Sequence, residues 1–127
     1  MLDRCPGPVA AEVLLVEARG LAISASVEAP EAVPPFANSA MDGFAVRAAD
    51  TVGAPVELRV VGTVAAGSVP DVEVGPGCAV RIMTGAPLPV GADAVVMVER
   101  TQSVGDDDAV LVEVEVPGGN HIRAAGE

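Results

Sequence analysis

From Val56 to Val116, glycine and proline recur so often that the chain can form only short elements, and the residues between them favour strands. "VELRVVGTVAAG" starting at Val56 reads as one strand, with Gly62 inside it marking a bulge or a close backbone contact. "CAVRIMTG", Cys78 to Gly85, reads as another, launched from the tight "GPG" at 75–77. "ADAVVMVERTQSV" and "AVLVEVEV" flank "GDDD" at 105–108 and read as a hairpin. In its second arm Val112, Val114 and Val116 share one side, while Glu113 and Glu115 face water. That alternation sets register, because a slip of one residue would bury the glutamates.

Composition agrees. Alanine and valine make up 46 of the 127 residues, and the only aromatic residues are Phe36 and Phe44. A core of small and β-branched side chains suits a pleated face. The expected fold class is therefore mainly β, a small barrel-like or coiled sheet. At the N-terminal end "AAEVLLVEARG", Ala10 to Gly20, reads as a short helix, and "LAISASVEAP" after it as a strand. Between Pro30 and Asn38 the prolines forbid regular helix.

With a net charge of −11, seven arginines and no lysine, the chain is a poor match for phosphate backbones or anionic membrane surfaces. No apolar run approaches the roughly 18 to 20 residues of a membrane span. The N-terminus has no charged-then-apolar secretory pattern, so a cytoplasmic protein without nucleic-acid or membrane partners is expected. Cys5 and Cys78 are too far apart for a zinc site or a redox pair. They read as an exposed thiol near the terminus and a small buried hydrophobe. The single histidine, His121, reads as a loop residue, since nothing near it marks a nucleophile.

Two stretches are denser in special residues than a surface loop requires. In "PPFANSAMDGFAVRAAD", Pro34 to Asp50, Asp42 precedes Gly43, and such a pair is a turn signal. Asp42 either bonds to its own backbone and shapes the turn, or offers a rigidly held carboxylate to Mg²⁺ or to a ligand proton. In "RIMTGAPLP", Arg81 to Pro89, a strand ends at Thr84 and Gly85. Either this is an ordinary strand end, or its exposed N–H groups and hydroxyl suit a phosphate.

These two stretches, continued as "GPGCAVRIMTGAPLPVGADAVVMVERT" and closed by "GGNHIRAAGE", resemble the N-terminal region of the MoeA-type molybdopterin molybdenumtransferases, the family that includes the gephyrin E domain. The similarity runs from about Val13 to Glu127. The resemblance implies a homodimeric enzyme that inserts molybdate into adenylylated molybdopterin in a Mg²⁺-dependent step. Its active-site cleft would lie between the small β domain of one subunit and an α/β domain of the other. Residues 1–29 would then be the first part of an elongated domain, 30–118 the small β domain, and 119–127 the return into the elongated domain. The "STGDEL"-like motifs of the α/β domain do not occur within these 127 residues, so this chain alone is expected to be inactive. The resemblance puts a functionally important aspartate at Asp42 and a motif hydroxyl at Thr84; the expected site is Asp42 as catalytic residue and metal ligand, with Thr84, Gly85 and Ser39 as the ligand-binding set. It also marks departures: Ala37 for a frequent aspartate, Phe44 for a frequent tyrosine and His121 for a frequent asparagine. Phe44 forgoes a phenolic hydrogen bond and keeps the burial of its ring.

Overall fold

A computed structural model describes residues 7–127, which leaves Cys5 outside the described residues. The chain divides into two compact units, Met1–Pro30 and Glu31–Glu127.

In the first unit, the helix expected over Ala10 to Gly20 is reduced to a single 3-10 turn, Leu15–Glu17. The strand expected from Leu21 onward is absent. Helices this short are marginal in water unless an apolar face packs, and a lone strand has no ladder to join. Here the apolar side chains stay out: Leu15 is 91% and Val27 81% exposed.

The second unit is built on a six-stranded sheet that curls into a half-barrel. Its strands are β2 (Gly43–Val46), β3 (Val56–Val64), β4 (Cys78–Ile82), β5 (Ala94–Met97), β6 (Thr101–Val104) and β7 (Ala109–Val112), in the order β5-β2-β4-β3-β7-β6. Only β3 and β4 run parallel. A separate two-stranded ladder joins β1 (Asn38–Ser39) to β8 (Ile122–Arg123). The fold is mainly β, as composition and turn spacing imply. No helix among the described residues is long and apolar enough to cross a membrane.

Where strands were expected, the sheet has them, with two refinements. The register of β3 against β4 shifts between Val60 and Thr63, which is the bulge that Gly62 signals. The long arm expected from Ala92 starts as a strand only at Ala94 and is broken by a 3-10 turn, Val98–Arg100, so only β6 enters the hairpin with β7. Beyond Val112 the ladder ends, yet the alternation persists: Val116 is buried while Glu113 and Glu115 are exposed.

Two apolar clusters form the core, one on each face of the sheet. Phe44, Val46, Ala79, Ala94 and Val96 belong to one. Ala45, Val80, Ile82 and Val95 belong to the other. Strands β2, β4 and β5 are therefore buried on both faces, which explains why "FAV", "CAV" and "AVV" are continuously apolar. Cys78 is buried and free, as its reading as a small hydrophobe implies.

The open edge of β5 is sealed mainly by Asn120, beside which the Gly119 N–H donates to the Asp93 carbonyl (2.7 Å). The Asn120 carbonyl accepts from Val95 N (2.9 Å), and its side-chain Nδ2 donates to the Val95 carbonyl (2.8 Å). Asn120 thus supplies the acceptor and donor of a neighbouring strand. His121, next to it, has φ +52°, in the left-handed region where asparagine is among the better tolerated residues.

Candidate functional site

The "NSAMDG" and "MTGAP" stretches meet because β2 and β4 are neighbours, with Gly43 opposite Ile82. That register sets Asp42, just before β2, beside Thr84, just after β4. The Thr84 backbone N–H and the Thr84 hydroxyl both donate to Asp42 Oδ1, each at 2.7 Å. Asp42 does not fold back on its own turn; its carboxylate ties together segments 42 residues apart in sequence. Among the described residues no donor reaches Oδ2, and Asp42 is exposed. One oxygen is fixed and the other faces solvent.

The next layer holds the turn that carries Thr84. Gly85 has φ +80°, a conformation that favours glycine, and its N–H donates to the Ser39 carbonyl (2.8 Å). Ser39 N–H donates in return to the Ala86 carbonyl (3.0 Å). Ser39 is fully buried, and its hydroxyl donates to the Met41 carbonyl and accepts from Met41 N–H (3.3 Å). Its side chain therefore shapes the bend that leads into Asp42, while its backbone brackets Gly85. Ser39, Asp42, Thr84 and Gly85 form one cluster, in which the accessible polar groups are the Asp42 carboxylate and the Thr84 hydroxyl.

Gly43 has a different part from the one its pairing with Asp42 suggests. It is the first residue of β2 rather than a residue in the left-handed region. A Cβ there would overlap the Val96 carbonyl oxygen and lie 2.9 Å from the Val96 carbonyl carbon. The absent side chain, not turn freedom, is what the position demands.

The prolines and the Asn-Ser pair read from the sequence as holding the turn that presents Asp42, but the pairing of that pair with β8 was not foreseen. Asn38 lies in β1 opposite Arg123 and also bridges Pro87, so the segment at 122–123 buttresses the motif turn. The Ala40 N–H donates to the His121 carbonyl (2.9 Å) and extends that support. The signal available was the "GGNHIRAAGE" segment itself, whose likeness to the family has no local meaning until it pairs with β1.

Electrostatically, the two Thr84 donors stabilise the charged form of Asp42, the backbone N–H first and the hydroxyl second, and hold its pKa below the ordinary aspartate value. A depressed folded-state pKa favours the folded state above the unfolded value, about 3.9. That contribution is lost as pH falls through the lower folded value. We expect the Asp42 carboxyl resonance to titrate below the usual aspartate midpoint. Thr84→Val should raise the midpoint only part way, since the backbone N–H remains. Carboxyl-detected NMR titration of both proteins checks this; identical midpoints would remove the hydroxyl from the account.

The arrangement can hold a negative charge at a fixed place over the whole physiological pH range. It can accept a proton or a cation on Oδ2. Among the described residues there is no group of three or more His, Cys, Asp or Glu side chains placed to hold a metal ion. The donor set therefore fits one carboxylate ligand of a shared Mg²⁺ site, the mode in which Mg²⁺ is commonly bound with substrate phosphates. It does not make an all-protein cage.

Comparison with known proteins adds the wider context. The sequence profile described as the MoeA N-terminal region (domain I and II) matches residues 1–127. Molybdopterin molybdenumtransferase 2 of Mycobacterium tuberculosis is 47% identical over 119 residues, covering 91% of this chain and 29% of that protein. The molybdopterin molybdenumtransferase of Synechococcus elongatus is 42% identical over 126 residues, covering 94% of this chain and 31% of that protein. The crystal structure of the molybdopterin biosynthesis moeA protein from Pyrococcus horikoshii OT3 superposes with a TM-score of 0.72 at 40% identity. It covers 76% of this chain and 26% of the solved one. The chain thus spans under a third of the length of the relatives it matches.

Proposed function

The chain belongs to the MoeA N-terminal family, and from that premise we propose that it is the N-terminal part of a molybdopterin molybdenumtransferase in molybdenum cofactor biosynthesis. In this reading the complete protein inserts molybdate into adenylylated molybdopterin. The observation that carries it at the level of residues is the Asp42 carboxylate, exposed and anchored through one oxygen by Thr84. A group held this way needs no reorganisation when a ligand arrives, which is how fixed charges are most effective in catalysis.

Asp42 Oδ2 would take a share in binding Mg²⁺ or receive a proton from the substrate, and Thr84 with Gly85 would hold the turn against which the ligand rests. Mg²⁺, when bound, supplies neutralisation of phosphate charge. The remaining contacts would come from an α/β domain of a second subunit in a homodimer. A second reading, a non-enzymatic binding or dimerisation module of the same fold, draws on the exposed apolar side chains of the first unit, Leu15 and Val27 among them.

The decisive assay supplies molybdate, Mg²⁺ and adenylylated molybdopterin to two proteins: this 127-residue chain, and the chain extended to its relatives' length. We expect AMP release and molybdenum insertion from the extended protein and none from the 127 residues alone. Insertion by the short chain would overturn the shared cleft. Failure of the extended protein, with its fold intact, would favour the dimerisation module.

A further inference from the structure

On the sheet face that carries Phe44 there is an open depression of about 480 Å³, lined by residues of β2, β3, β4, β6 and β7 and by Val98 and Asp107. Its volume falls in the range of small-molecule pockets, roughly 300 to 1,000 Å³. The buried Phe44 ring is its largest apolar lining group. Arg81 stands opposite Phe44 in the β2–β4 ladder and is the only cation in the lining. Hydroxyls of Thr63, Thr101 and Ser103 complete the polar part, with Asp107 from the β6–β7 turn.

Two features select the chemistry. Arg81 is exposed and has no carboxylate partner: among the described residues the single ion pair is Arg47 with Asp50. A guanidinium free of internal partners, next to an apolar ring, is arranged to receive a planar anionic group in bidentate fashion. Asp107 is different, because its carboxylate already accepts from the Ser103 hydroxyl. The carboxylate in the lining and the chain's net charge of −11 both disfavour a dianion. A monoanion with an apolar body fits both constraints.

We propose that this depression binds a small planar carboxylate, with its anionic group on Arg81 and its apolar body on Phe44. None of Ser39, Asp42, Thr84 and Gly85 lines the depression, although it adjoins their cluster through Val98, whose N–H donates to the Asp42 carbonyl (3.1 Å); the proposal stands whether or not the chain is part of a molybdenumtransferase. Benzoate carries both features, acetate only the charge, benzamide only the body, and inorganic phosphate a multivalent charge. Each is titrated into the 127-residue chain at millimolar concentration while the backbone amides are followed by NMR.

Benzoate should shift the amides of Phe44, Arg81, Thr101 and Ser103 saturably. Acetate, benzamide and phosphate should bind at least about tenfold more weakly. Arg81→Gln, at an exposed position, should weaken benzoate by about tenfold or more while the remaining spectrum is unchanged. Arg81→Lys should fall between, because it keeps charge and loses the planar fork. The proposal is overturned if benzoate gives no saturable shift at these residues, if Arg81→Gln binds it equally, or if acetate, benzamide or phosphate binds as tightly.

Discussion

Gly43→Ala is expected to cost the fold at least about 3 kcal/mol, at or beyond the upper end of ordinary overpacking penalties. The added methyl would meet main chain on the partner strand: the Val96 carbonyl group and, at 3.0 Å, the Met97 Cα. No side-chain rotation can make room. β2 sits between β4 and β5, so yielding on one side disturbs pairs on the other. Gly62→Ala is the matched control. There the nearest atoms to a Cβ are all of the Val72 side chain, its γ-methyls at 3.3 Å and its Cβ at 3.5 Å, so a shift of a few tenths of an ångström by that side chain accommodates it. Its expected cost is below about 1 kcal/mol. Urea unfolding of both variants gives the two numbers from midpoints and slopes. Equal losses would mean that the β2–β5 spacing adapts and that Gly43 is not required for close approach.

The second large effect concerns activity. In a protein of the relatives' full length, Asp42→Asn should lower molybdenum insertion by about 10²- to 10³-fold, the range found when a preorganised electrostatic group is removed. The substitution is informative because it separates charge from scaffold. An amide oxygen can still accept from the Thr84 N–H and hydroxyl, so the link between β2 and β4 survives. Only the charge and the basicity of the second oxygen disappear. Unfolding curves should therefore superpose on those of the parent while kcat falls. Activity within roughly threefold of the parent would assign Asp42 a purely architectural part, because the measured loss would then be too small for a group that acts on the substrate.

Much of this was legible in the sequence, and the reasons differ by element. β3, β4 and the β6–β7 hairpin were visible because turn residues bracket β-branched runs, and Gly62 marked its bulge in advance. β2 was not visible as a strand. Buried on both faces, "GFAV" has no polar alternate, and its length fits equally with a loop segment. The N-terminal stretch erred the other way. Its local pattern is that of a helix and a strand, but propensity without packing leaves only one 3-10 turn.

The candidate site divides along the same line. Asp42 and Thr84 could each be picked out by residue type, in separate motifs. That one oxygen of the first receives two bonds from the second depends on the register of β2 against β4, which no local pattern encodes. Ser39 also belongs to the cluster, but its burial turns the hydroxyl inward, and burial is a property of the assembled sheet.

The ladder between β1 and β8 has a consequence for the order in which the molecule can be made. Asn38 and Ser39 leave the ribosome early, whereas Ile122 and Arg123 follow only after the whole six-stranded sheet has been synthesised. Pairing so distant in the chain is slow to form, because a long loop must close before the contact returns anything. During translation the sheet can therefore collapse around its two apolar clusters while the bend leading to Asp42 still lacks its outer support. The scaffold would mature first, and the geometry of the site would be set only when its final strand arrives.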